Sequence, residues 1–296
     1  MALPRSRAAL AGVLMAVIAL AGQPAASAAE TIQVVPVSTQ AWVGPMDLIL
    51  GLYDLESVPI TDPAASATLT LVAPDGSTRE PVALTLRRFV AAGRELFVAR
   101  VTFDQVGQWR ADVTLDHAAG VLTGHASLAV RPDDGTPALG SMVPDVVTPT
   151  MRSASNLMRS ITSDPDPVPD FYVWSVSELL AAGQPFVLVF DSYVFRPNEA
   201  CGGALGMVHE IFPEFPRLSV VHAEPWQTSY ATGTLTLEPP EGPAALTDAA
   251  AAYGIHEPPW LFLVDSEGRL AAKFTGVVGS DELRAAMAAL SDEVTH

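Results

Sequence analysis

Two kinds of apolar pattern divide the chain. From about residue 31 to 132, apolar and polar positions alternate with the two-residue period of half-buried strands. The run 67–72 alternates and stops at the turn Pro74-Asp75-Gly76, and 82–86 alternates again. Runs 47–53, 96–103, 111–115 and 126–130 read the same way, with turn residues between them. Short strands at such regular spacing predict an all-β sandwich.

From Phe171 onward, the apolar positions gather into continuous runs separated by helical spacing. Residues 186–190, 218–222, 260–264 and 270–274 read as strands, the last two joined by the turn 265–268. Ser175 and Gly183 bracket a helix, and 205–212, 244–253 and 281–290 read as three more, the last with Ser280 as its cap. The order is helix, β, α, β, α, β, β, α. Continuous apolar strands joined through helices predict a parallel pair buried on both faces, with an antiparallel hairpin at the sheet edge.

Between the two patterns, residues 133–170 are rich in proline and read as a linker, with a short helix expected at 153–161. Met142, Val146, Val147, Met151 and Leu157 are expected to pack on a domain surface rather than leave the segment disordered.

The first residues follow neither pattern. Arg5 and Arg7 precede an uncharged apolar run, 8–22, and then Pro24 and the small residues 26–28. This is the layout of a secretory signal peptide over 1–28. The apolar run falls short of the roughly 20 residues that span a bilayer, so a membrane anchor is expected only if the segment stays uncleaved. The division is therefore 1–28 signal peptide, 29–132 sandwich, 133–170 linker, 171–292 α/β domain and 293–296 tail. An extracytoplasmic location follows, periplasmic or secreted, with no transmembrane segment after cleavage.

Charge narrows the partners. The 296 residues carry 16 basic and 33 acidic side chains, a net −17. Removing 1–28 takes two arginines and no acid, leaving 14 against 33, net −19. A surface of that sign excludes nucleic acid as a natural partner. The acids are scattered, and neither a metal site nor a bound cofactor is expected. One cysteine, Cys201, is present in the whole chain. An exported chain has access to disulfide chemistry, yet this one cannot close a bond on itself, so any thiol chemistry involves a second molecule.

Several landmarks bear a family resemblance. Cys201-Gly202-Gly203-Ala204 follows a strand and opens a helix, and Glu257-Pro258-Pro259 leads into the strand at 260–264. With Val221-His222-Ala223-Glu224 and Gly268, these make residues 171–290 resemble the thioredoxin-like family. The whole chain resembles exported bacterial proteins in which an immunoglobulin-like module precedes such a domain. The resemblance implies a multi-domain fold, an immunoglobulin-like sandwich plus an α/β thioredoxin-like domain. It also implies that Pro259 is a cis-proline facing Cys201. The pattern departs from the family at Arg196 and Ala204, where partner cysteines stand in relatives, and this disfavours dithiol oxidoreductase activity.

A cysteine at a helix start sits in the positive end of the helix dipole, which favours thiolate. Gly202 and Gly203 allow close approach of backbone amides, and Arg196 adds positive charge. The expectation is monothiol exchange, in which Cys201 forms mixed disulfides with exported or envelope proteins and Pro259 helps position them. Trp226 and Trp260 are candidates for a peptide-binding platform, with core packing as the alternative. Two other functions stay open: a redox-inactive binding module in an envelope assembly, and a copper-binding accessory protein. For copper, Met207 and His209 follow Cys201, but His209 lies ~12 Å along the helix axis. His222 or His256 is then the distant ligand.

Overall fold

The computed structural model describes residues 31–38, 40–89, 93–118, 120–155, 157–195, 203–231, 233–239 and 243–294. The expected signal peptide lies outside these residues. So do Arg196, Cys201 and Gly202.

Eight strands build the N-terminal part: β1 Gln33–Pro36, β2 Ala41–Trp42, β3 Gly44–Tyr53, β4 Ser66–Val72, β5 Val82–Phe89, β6 Arg94–Phe103, β7 Gly107–His117 and β8 Gly120–Arg131. They run in the order β1-β3-β6-β5-β4-β7-β8-β2 and fold into two layers that share one apolar core. Alternation explains the layering. In β7, Trp109, Ala111, Val113 and Leu115 point into the core, while Gln108, Arg110, Thr114 and Asp116 face water.

Trp109 anchors that core. Its Nε1 donates to Gln105 O at 2.9 Å, Phe103 meets it edge-on at 5.1 Å, and the Arg79 guanidinium lies 5.2 Å over its ring. Gly107, at φ +131°, turns the chain just before it, and a Cβ there would come within 3.0 Å of the Pro74 ring.

The C-terminal part is a four-stranded mixed sheet with helices packed on it. Its strands are β9 Phe186–Phe190, β10 Ser219–Ala223, β13 Trp260–Val264 and β14 Leu270–Thr275, in the order β10-β9-β13-β14. β10 runs parallel to β9, and β13 is antiparallel to both β9 and β14. A small hairpin, β11 Thr228–Ala231 with β12 Thr234–Leu237, is inserted after β10. Its apolar signal is short: Leu235 and Leu237 alternate with exposed threonines on one half-buried face.

The helices are α1 Val176–Ala182, α2 Gly203–Ile211, α3 Asp248–Ala252 and α4 Ser280–Glu293. Ser175 and Glu178 form a reciprocal capping box on α1, and Gly183 closes it in the left-handed region. α3 starts later than its apolar run, because the Thr247 side chain accepts from Ala250 N and sets the first turn there. α4 is capped by Gly279 rather than Ser280, which is already helical. One face of the sheet packs against α2 and α4, the other against α1 and α3.

The proline-rich segment 133–170 is a packed wrap. Gly140 N donates to Leu270 O, Leu270 N to Ser141 O and Val143 N to Gly268 O, so the segment runs along the β13–β14 turn. Val143 is buried, and Val146, Met151, Met158 and Ile161 pack onto the cores. Met142, Val147 and Leu157, expected to do this, are exposed instead. The helix expected at 153–161 shrinks to one 3-10 turn, Met158–Ser160. The two parts are joined by Gln40 Nε2 donating to Glu257 O at 2.6 Å, by Trp42 against Trp260 at 6.3 Å, and by Lys273 paired with Asp134. Gly254, at φ +67°, sits so close to the wrap that a Cβ there would collide with the Gly135 carbonyl oxygen.

Truncating Trp109 to alanine is expected to cost about 3–5 kcal/mol, the usual loss for a buried large aromatic. Urea unfolding followed by far-UV circular dichroism reads this as a lower midpoint at unchanged slope.

Candidate functional site

Apolar strands that end inside a protein hand over to residues whose polar groups need partners. β9 ends at Phe190 and is followed by Asp191 and Ser192. β10 ends with His222 and Ala223 and is followed by Glu224. All four polar residues are buried. Residues 162–164 of the wrap and Tyr172 close over them from the other side.

Asp191 accepts from its neighbour Ser192 N at 2.8 Å through Oδ1 and from Leu205 N, in the first turn of α2, at 2.9 Å through Oδ2. Its backbone oxygen lies 3.0 Å from His222 Nε2. A carbonyl only accepts, so Nε2 carries the proton. In the neutral ring Nδ1 is then left to accept from the Tyr172 hydroxyl, 2.7 Å away. Burial pushes the Tyr172 phenol well above its ordinary value, a hydrogen bond with Thr162 opposing and the charges of Asp164 and Glu224 adding to it. That hydroxyl is therefore a standing donor.

The wrap ties into the same centre. Ser163 N donates to Glu224 Oε1 at 2.5 Å, and Ser163 Oγ lies 3.1 Å from Ser192 Oγ and accepts from Tyr193 N. Ser192 Oγ in turn accepts from Phe195 N. Asp164 Oδ2 and His209 Nε2 are 3.1 Å apart, ion-pair distance with the N–H out of line for a hydrogen bond. Burial opposes ionisation of Asp164. The contact with His209 and the Asp166 amide outweigh it and hold the carboxyl below its ordinary range. Glu224 Oε2 has no hydrogen-bond partner among the described residues.

The site residues expected from sequence fall around this centre unevenly. Gly203 is the first residue of α2. Pro259 is buried, its bond to Pro258 is cis, and it immediately precedes β13. The pairing of Trp260 with Phe190 sets Pro259 beside the end of β9, where Asp191 begins the segment leading to Cys201. Trp260 is only 1% exposed, stacked on Phe262 at 5.6 Å, so its ring is core rather than an open platform. Trp226 is half-buried and bridges to Leu246. Met207 points into the core, His222 is committed through both ring nitrogens, and His256 is exposed beside Gly135. Among the described residues, no group of three or more His, Cys, Asp or Glu side chains is placed to hold a metal.

The sequence reading missed the polar centre itself. Its signal was present as Asp191-Ser192 and His222-Ala223-Glu224, polar groups at the ends of runs otherwise apolar enough to be buried.

No family model matches the chain, and the search of curated proteins returns no match. Among solved structures the chain is similar to CopC from Methylosinus trichosporium OB3b, with 15% identity over 32% of this chain and 86% of that one, TM-score 0.23. It is similar to the Lin-41 filamin domain, with 15% identity over 36% and 97% and TM-score 0.23. The PKD domain from the human VPS10 domain-containing receptor SorCS2 gives 14% identity over 43% and 97%, TM-score 0.20. The filamin and PKD domains are neighbours of immunoglobulin-like type, in keeping with a predominantly β chain. Scores this low carry no argument.

Because the folded Asp164 carboxyl titrates below its ordinary value of 3.8, its contribution to stability is complete above that pH and is lost as pH falls through the lower folded value. Asp164→Asn is expected to lose roughly 1–2 kcal/mol at neutral pH and to flatten the acid limb. Urea midpoints measured from neutral to acid pH should converge for the two proteins at the acid end.

Proposed function

We propose that this is an exported thioredoxin-like protein in which Cys201 forms mixed disulfides with secreted or envelope proteins. The register between β13 and β9 carries the reading. It sets Pro259 beside Asp191, at the start of the segment that bears the cysteine, and α2 opens two residues after Cys201. The sheet holds one parallel pair and an antiparallel hairpin at its edge, as the apolar strands and helices predict, and this supports the reading. Signal-like residues 1–28 support export. No helix among the described residues is long and apolar enough to cross a membrane.

The chemistry is a single exchange. The Cys201 thiolate attacks one sulfur of a partner's disulfide, a new S–S bond forms to Cys201, and the old one breaks. The departing sulfur leaves as a thiolate on the partner and takes a proton from water. The chain has no other cysteine to resolve the adduct, so release needs an external small thiol. Proximity to the start of α2 favours the thiolate. The Asp191 carboxylate already occupies one amide of that first turn.

Alkylation by iodoacetamide at about pH 6 is expected to be ~10-fold faster in the folded protein than in urea, the signature of a thiol with a lowered pKa. Cys201→Ser should abolish disulfide-linked adducts on non-reducing gels of the exporting cell. A thiol that reacts only after denaturation overturns the exchange reading and leaves a non-catalytic binding module.

A further inference from the structure

One side chain of the sandwich serves the other part of the molecule. Among the described residues of the sandwich, Gln40 is the one polar side chain that is buried. A buried amide is costly unless its groups are hydrogen-bonded. Here the partner lies outside the sandwich: Nε2 donates to Glu257 O at 2.6 Å, 217 residues along the chain.

The alternation of β2 explains how Gln40 reaches so far. Successive side chains of an extended segment point to opposite sides. Ala41 enters the sandwich core, and Gln40 and Trp42 on either side of it turn toward the mixed sheet. Trp42 meets Trp260 at 6.3 Å and packs on the cores of both parts. β2 stands at the end of the sandwich strand order and pairs with β8 through two residues.

The segment that Gln40 holds has few donors of its own. Pro258 and Pro259 carry no backbone N–H, so residues 257–259 cannot be tied down by a run of amides. Side chains from two neighbours take the carbonyls instead. Gln40 takes that of Glu257, and Thr275 Oγ1 donates to that of Pro259 at 2.8 Å. One anchor comes from the sandwich and the other from β14. Between them lies the entry to β13, which sets Pro259 beside Asp191, where the segment bearing Cys201 begins.

We propose that Gln40 is a positioning residue for thiol exchange: through the Glu257 carbonyl, the sandwich fixes residues 257–259 where a partner polypeptide passes as its disulfide meets Cys201. This rests on the exchange reading above. The step itself is the same, with the Cys201 thiolate displacing a thiolate from the partner's disulfide. A partner polypeptide has to run past whatever stands beside the thiol, whereas a small disulfide needs only to reach the sulfur. Gln40 therefore acts on the fit of a polypeptide and not on the reactivity of the thiol.

The test compares two disulfides on the full chain: a neutral decapeptide dimer joined by one disulfide, and hydroxyethyl disulfide. Adduct formation is followed by mass spectrometry. Gln40→Leu keeps the side chain's bulk and removes the donor. It is expected to slow the peptide reaction about 10-fold and to leave the small disulfide within about twofold of the unaltered protein. Gln40→Asn keeps the amide but shortens its reach. It is expected to give the same split, and it decides the matter if the leucine variant's circular dichroism is altered. A variant that merely loosens the fold changes both rates alike. A reactive protein whose ratio of rates is indifferent to Gln40 overturns this proposal alone. An unaltered protein inert to both disulfides overturns the exchange reading and this proposal with it.

Discussion

β9 has no side chain in contact with water on either face. A five-residue strand buried in this way needs a layer on each side, and the rest of the C-terminal part is arranged to supply them. α2 and α4 cover Val187 and Val189, while α1 and α3 cover Phe186, Leu188 and Phe190. The same constraint governs what comes next. Where β9 stops, Asp191 is still inside the protein, so both its carboxylate oxygens and its carbonyl take up hydrogen bonds at once. The polar centre is the termination of a buried strand, and the start of α2 is fixed by it.

The wrap is the second consequence of that burial. Helices alone do not close the ends of β9 and β10, and residues 162–164 and Tyr172 complete the cover. In doing so they connect the linker to the segment that leads toward Cys201, through Ser163, Ser192 and Phe195. The linker thus has two attachments, one along the β13–β14 turn and one at the polar centre. With Gln40, Trp42 and Lys273, they hold the sandwich and the mixed sheet in one arrangement.

Much of this was readable along the chain. Continuous apolar runs placed β9 within its limits and β13 from Trp260 to Val264, because a strand buried on both faces leaves no choice of polar positions. Ser175 and Gly183 marked both ends of α1, since capping is local chemistry. What escaped was non-local or lacked an apolar signature. The β11–β12 hairpin has only Leu235 and Leu237, two alternating apolar positions in a four-residue strand. The contact of Ser163 with Glu224 spans 61 residues, and nothing in either stretch names the other. Trp260 was readable either as a platform or as core, and the contact with Trp42 in the other part of the molecule, which the chain pattern does not show, is part of its cover.

The meeting of Gly254 with Gly135 bears on how such a chain is assembled. A Cβ on Gly254 would run into the Gly135 carbonyl oxygen, and one on Gly135, itself at φ +75°, would meet the ring of His256. The seating of one module on the next is thus set by two missing methyl groups as much as by any attraction. A different sandwich grafted ahead of this sheet would inherit its orientation only if its connecting segment arrived with a glycine at the same step.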